Sequence, residues 1–246
     1  MKINHKVTAS LVLSFAVFRF GVADAAPILL QQPTATFSQT GFGGFPVGAA
    51  IDGNPATGWA IDPNEVAQTA VFETSTDIFT SGGTLTFTLD QLYGSFHTIG
   101  RFRLSATTDN RALFADGIPT GGDVTANWVV LDPGSFSSAS GATLTELGDN
   151  SILAGGVNPN TDTYTVVATT TLASITGLRL EVLEDPSLPF NGPGRQPSNS
   201  NLVLTNFTVD ATPSDVGPAP VPEPATGLLL ASGLIATWAT RQRKSA

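Results

Sequence analysis

There is no cysteine in the chain. That absence removes disulfides, thiolate metal sites and a cysteine nucleophile together. Cations are scarce too: 11 Lys and Arg stand against 20 Asp and Glu, a formal net charge of −9 over 246 residues. Phosphate backbones need clustered Lys and Arg, and the body of the chain has no such cluster, so nucleic acid is excluded as a partner. There are two histidines, His5 and His97. One or two imidazoles do not build the multi-His centre of a zinc hydrolase. No G-x-S-x-G elbow is present for His97 to serve as base. The expectation is therefore a protein with no catalytic residue and no enzymatic activity. The carboxylates Glu65, Glu73, Glu146, Glu181 and Glu184 are scattered. A glycosidase needs two of them roughly 5 to 10 Å apart across a cleft, and no local motif suggests that.

What is present is strand-and-turn material. Charged residues make up 13% of the chain and hydrophobic ones 41%, so polarity is carried by Thr, Ser, Asn and Gly. Sparse charge with ordinary hydrophobicity argues for a folded domain rather than disorder. Period-two alternation recurs in Leu85, Phe87 and Leu89; in Phe102, Leu104 and Ala106; in Tyr164, Val166 and Ala168; and in Leu178, Leu180 and Val182. Each run gives one apolar and one wetter face, as in an antiparallel sheet packed on a core. The segment Asn127–Leu131, apolar on both parities, reads as a central strand. Leu202–Val209 changes parity between Leu204 and Phe207, which predicts a bulge or bend. Turn signals such as Asp52-Gly53-Asn54-Pro55, Ser81-Gly82-Gly83 and Asn191-Gly192-Pro193-Gly194 separate the runs. No long amphipathic helical stripe appears. These patterns predict an all-β, antiparallel β-sandwich or jelly roll over residues 26–211.

The two ends read differently. Lys2 and Lys6 precede an apolar run from Leu11 to Phe18, followed by Ala23-Asp24-Ala25. Charge, apolar run and small-x-small site in that order predict a secretory signal peptide over residues 1–25, removed by signal peptidase after Ala25. Residues 212–221 are Pro-rich and read as a linker. Then come Pro222-Glu223-Pro224, an uncharged run from Ala225 to Thr240, and Arg241-Gln242-Arg243-Lys244. The uncharged run reads as a transmembrane helix over 225–240, slightly short for a bilayer core at roughly 24 Å. Its basic end suits the cytoplasmic side. The arrangement over 222–246 resembles the PEP-CTERM sorting signal of Gram-negative bacteria. That resemblance implies an exosortase as processing partner, contact with the membrane through the helix before processing, and a destination at the cell envelope or in the extracellular matrix. A plain membrane anchor is the other reading of the same residues.

Inside the domain, Thr34–Gln39 leads into Ala50-Ile51-Asp52-Gly53-Asn54-Pro55-Ala56-Thr57-Gly58-Trp59. This A-I-D-G-N-x-x-T-x-W pattern resembles the opening of discoidin domains, the coagulation-factor type C family, and of related galactose-binding-like carbohydrate modules. Gly83–Phe87, Ile99–Ser105 and Asn201–Val209 are similar to later strands of that family. The resemblance implies a structural Ca²⁺ as the one expected cofactor. Carried over, Asp52 would supply a carboxylate, Thr57 a hydroxyl and carbonyl, Asn54 a further oxygen, Thr205 a carbonyl and Asn206 the place where the family carries Glu. Hard oxygens suit Ca²⁺. The residues read equally as a plain turn with Asp52 capping its own backbone. Trp59 is expected in the core. The loop Asp109-Asn110-Arg111 and the turn holding Arg195 are candidate ligand contacts. They read equally as a solvated turn with an Arg–Asp pair and as a connection. Together these readings predict an exported, non-catalytic module that binds exopolysaccharide or another glycan. The alternatives are a structural surface protein making protein contacts only and, less supported, a glycan-active enzyme.

Overall fold

The computed structural model describes residues 24–214. The signal segment before Asp24, the cleavage site's first residue Ala23, and the sorting motif with its expected helix lie outside the described residues. Among the described residues no helix is long and apolar enough to cross a membrane.

Strands begin with β1 (Ala26–Pro27), β2 (Leu30–Ala35), β3 (Trp59–Ala60), β4 (Gln68–Ile78), β5 (Gly83–Gln91) and β6 (Arg101–Thr107). They continue with β7 (Val129–Val130), β8 (Pro133–Ser138), β9 (Ala142–Glu146), β10 (Ile152–Gly156), β11 (Asp162–Thr170), β12 (Ile175–Val182), β13 (Val203–Leu204) and β14 (Asn206–Pro213). One sheet runs β1-β14-β5-β11-β8, and a second runs β2-β4-β12-β6-β10-β9 with β7 beside β6. Every strand pair is antiparallel. The fold is an antiparallel β-sandwich.

The alternation legible in the sequence is what closes it. β5 is buried at every second residue, so Leu85, Phe87 and Leu89 face inward while Thr84, Thr86 and Thr88 stay wetter. β11 repeats the pattern through Tyr164, Val166 and Ala168, and β14 through Phe207, Val209 and Ala211. Opposite them stand Phe72 on β4, Phe102, Leu104 and Ala106 on β6, and Leu178 and Leu180 on β12, all in one core cluster. Phe207 joins Phe72 at 5.2 Å and Phe87 at 6.0 Å. Tyr164 stacks on Phe102 at 5.9 Å and donates its hydroxyl to Ile99 O at 3.0 Å. Burial pushes that phenol up to about 12, so it stays a donor throughout the neutral range.

Two segments depart from the sequence expectation. Asn127–Leu131 is no central strand: only Val129 and Val130 pair, at the flank of β6, and Val129 is exposed. Leu131 still reaches the main core, while Trp128 is used on the outer face of the second sheet. There Trp128 meets Phe114 edge-on at 5.4 Å and lies under Arg179 at 5.3 Å. This satellite cluster, with Val71 and Ala115, holds the long 108–128 connection to the sheet. The parity break before Phe207 is a change of sheet. β13 pairs with β3, β14 pairs with β5, and Thr205 between them is pinned to Asp90 O through its N–H at 2.7 Å and its hydroxyl at 2.9 Å. β14 also runs through Thr212 to Pro213, two residues into the stretch read as linker.

Candidate functional site

The residues singled out in sequence fall into four places. Asp52, Asn54 and Thr57 form one self-bonded loop. Asp52 Oδ1 accepts from Asn54 N at 2.8 Å and Asp52 Oδ2 from Thr57 Oγ1 at 2.8 Å. The Thr57 hydroxyl also lies 2.9 Å from Asn54 O. Thr205 and Asn206 sit across the β13–β3 pair, but their side chains engage Asp90: Asn206 Nδ2 reaches Asp90 Oδ2 at 3.4 Å. Oxygens of three residues therefore converge at Asp52, while the Thr205 hydroxyl is turned to the Asp90 main-chain carbonyl and the Asn206 amide to the Asp90 carboxylate. Among the described residues no group of three or more His, Cys, Asp or Glu side chains could hold a metal. On this donor set, Asp52 is the one charged ligand.

Asp109, Asn110 and Arg111 are neighbours in sequence with separate partners. The Asp109 carboxylate accepts from Asn127 N at 2.8 Å and from the Asn127 amide at 3.0 Å, which holds it below the ordinary carboxylate value. Asn110 caps Ala112 N at 3.0 Å. Arg111 reaches back to β4, donating to Thr74 O at 2.8 Å and pairing with Asp77 at 2.9 Å rather than with Asp109.

Arg195 is 6% exposed. It donates through Nη2 to Gly155 O at 3.2 Å and Gly156 O at 3.1 Å, and its own carbonyl accepts from Asn158 at 2.8 Å. It clamps its own loop to the end of β10. Arg195→Ala is accordingly expected to cost about 2–4 kcal/mol by chemical denaturation, from the void and the freed carbonyls. Loss of ligand binding at unchanged stability would instead place Arg195 at a binding surface.

A groove of about 220 Å³ lies elsewhere, lined by Gln39, Phe42, Phe45, Asp62, Tyr93, His97, Asn199, Asn201 and Val203. Three distant segments build it. The first is the Gln39–Phe45 hairpin, closed by Phe45 N to Gln39 O at 2.8 Å and tied to β3 by Gln39 N to Ala60 O at 2.8 Å. Its tip turns through Gly43 at φ 94 and Gly44 at φ 83, with Phe42 at φ 53. A Cβ at either glycine would meet no atom within 4 Å, so conformation rather than space calls for glycine. The tip leaves Phe42 89% exposed.

The second segment follows β5. Ser95 and Phe96 take left-handed backbone, Ser95 N donates to Asn160 Oδ1 at 2.8 Å, and Gln91 Oε1 accepts from Ile99 N. This bend places Tyr93 edge-on to Phe45 at 5.5 Å and to His97 at 5.2 Å. His97 Nδ1 lies 3.0 Å from Gly94 O, an acceptor, so it carries the proton and a neutral ring keeps Nε2 as acceptor.

The third segment enters β13. Asn201 Oδ1 accepts from Ile61 N at 3.1 Å and Leu202 N at 2.8 Å, and Asn201 Nδ2 donates to Gln39 Oε1 at 3.2 Å. Asn199 Nδ2 reaches Asp62 at 3.4 Å. Glu65 stands beside Asp62; burial first, and then its hydrogen bond with Asp62, push the Glu65 carboxyl above its ordinary value.

A row of rings with amides and a carboxylate fixed around it offers an apolar platform and directional polar contacts in one place. The depression beside Arg111 lacks that platform, since its ring, Phe114, is buried against Trp128. The sequence reading weighed His97 only as a catalyst and passed over Phe42, Phe45 and Tyr93. The signals that point to them are an aromatic at the tip of Gly41-Phe42-Gly43-Gly44 and the aromatic run Tyr93–His97.

Residues 220–244 match the PEP-CTERM protein-sorting motif, and Pro222-Glu223-Pro224 falls within the match. The motif marks an exported, exosortase-processed protein of the cell envelope. No curated protein matches the chain. Among solved structures, the CBM32-3 module of a family 31 glycoside hydrolase from Clostridium perfringens is similar over 72% of this chain and 88% of that one, at 12% identity and a TM-score of 0.41.

Proposed function

We propose that this exported envelope protein is a non-catalytic glycan-binding module whose ligand lies in the Phe42–Phe45–Tyr93–His97 groove. The observation that carries the reading is the exposed aromatic row, with polar groups already fixed by their own hydrogen bonds. Pyranose rings present apolar C–H faces and a rim of hydroxyls, which such a surface matches. A platform that is ordered before binding spends little entropy on contact. The envelope destination, in a Gram-negative bacterium, makes exopolysaccharide the natural partner.

A glycan panel probed with the intact chain, purified in a detergent without a sugar headgroup, tests this. Saturable binding to at least one polysaccharide is expected. A blank across neutral, amino and acidic glycans would favour the alternative of a surface protein making protein contacts only.

Calcium at the Asp52 loop is a second proposal on the same chain. Asp52, Asn54 and Thr57 would hold the ion, and its role would be to fix the loop that leads into β3. With one carboxylate the affinity would be weak. A Ca²⁺ concentration about tenfold above Kd is expected to stabilise the domain by about 1.4 kcal/mol, and to raise Tm by about 3–5 °C. A Tm unmoved by millimolar Ca²⁺ and by chelator would rule the ion out.

A further inference from the structure

We propose that the groove selects a sugar residue bearing a protonated amine and rejects anionic sugars. The inference rests on the glycan-binding reading above and adds the chemical class of the ligand.

Charge decides it. Asp62 lines the groove, and its side-chain hydrogen bond from Asn199 is long, at 3.4 Å. Among the described residues no Lys or Arg answers it. Between Asp24 and Ser214 the chain has no lysine and five arginines, and each arginine is committed elsewhere. Arg101 pairs with Asp149 at 2.9 Å, Arg103 and Arg179 pair with Glu181 at 2.9 and 3.0 Å, and Arg111 pairs with Asp77 at 2.9 Å. Arg195 is buried on the Gly155 and Gly156 carbonyls.

The amides are neutral and carry no compensating charge; each asparagine spends one of its two N–H donors within the groove, Asn201 Nδ2 on Gln39 and Asn199 Nδ2 on Asp62. The acidic inventory of the lining is one carboxylate, Asp62. An ammonium brings three donors and a positive charge to that inventory. A uronate, sulfate or phosphate brings another negative charge to a site with no counter-ion. Neutral sugars lie between, held by the rings and by uncharged hydrogen bonds.

The test titrates the intact chain with three tetrasaccharides of matched length, built from glucosamine, N-acetylglucosamine and galacturonate, at about pH 6 and low salt. The glucosamine oligomer is expected to bind on the order of tenfold tighter than its acetylated counterpart, with galacturonate not binding. The advantage should shrink as salt screens the carboxylate. Equal affinity for the first two, a preference unaffected by salt, or binding of galacturonate would overturn the charge selection while leaving the glycan reading standing. Failure of all three probes also overturns it. The glycan reading falls only if the broader panel is blank too.

Discussion

Trp59→Ala is expected to destabilise the domain by about 3–5 kcal/mol. Domains of this kind are stable by roughly 5–15 kcal/mol in all, so the variant sits near the edge of folding. Trp59 is fully buried, is the bulkiest fully enclosed side chain among the described residues, and donates Nε1 to Phe37 O at 3.0 Å. Removing the indole opens a cavity and orphans that carbonyl in one step. The damage reaches the site. Its neighbour Ala60 accepts from Gln39 N at 2.8 Å and donates to Phe45 O at 3.3 Å, so the aromatic hairpin hangs from β3. Trp59→Phe retains most of the volume and loses mainly the hydrogen bond, at about 1–2 kcal/mol. Urea unfolding of the two variants separates the terms. Equal costs would show that packing contributes little here.

The largest functional effect is expected at Tyr93. Tyr93→Ala should weaken glycan binding about 30-fold or more, the scale of an aromatic anchor. The ring touches Phe45 on one side and His97 on the other, so its loss breaks the row at the middle. It is 49% exposed, and its removal should change stability by less than about 1 kcal/mol. That separation makes the variant informative where Trp59→Ala is not. Phe190, 73% exposed and outside the groove, supplies the contrast. Phe190→Ala should leave both binding and stability near wild type. Equal losses from Tyr93 and Phe190 would mean that the ligand contacts exposed rings at large rather than this groove.

Much of the fold was open to reading because it is written in local periodicity. The Thr-alternating face of β5 needs no knowledge of its neighbours, and β11 and β12 declare themselves in the same way. The parity break near Thr205 was visible too, although only the structure shows that it marks a strand leaving one sheet for the other. Asn127–Leu131 misled because an apolar run does not say which apolar surface will take it. Here the satellite cluster around Trp128 does.

The site was much less legible. Asp109, Asn110 and Arg111 had the composition of a ligand loop, but the partner that engages Arg111 is Thr74–Asp77, more than thirty residues away. Arg195, read as a contact for ligand, is walled in by carbonyls. The groove is the converse case. Phe45, Tyr93 and Asn201 come from three ordinary turns, and nothing in any one of them says that the other two are adjacent. Pairing of β13 with β3, together with Val203 N donating to His97 O at 2.9 Å, brings the second and third together.

The most direct test of the central claim is hydrogen–deuterium exchange of the intact chain, with and without a saturating amount of the tightest-binding oligosaccharide of the panel. Protection is expected in residues 39–45, 91–98 and 199–203 together, with residues 108–113 unchanged. Protection centred on 108–113, or spread along the sheet faces with the aromatic groove unaffected, would contradict the account.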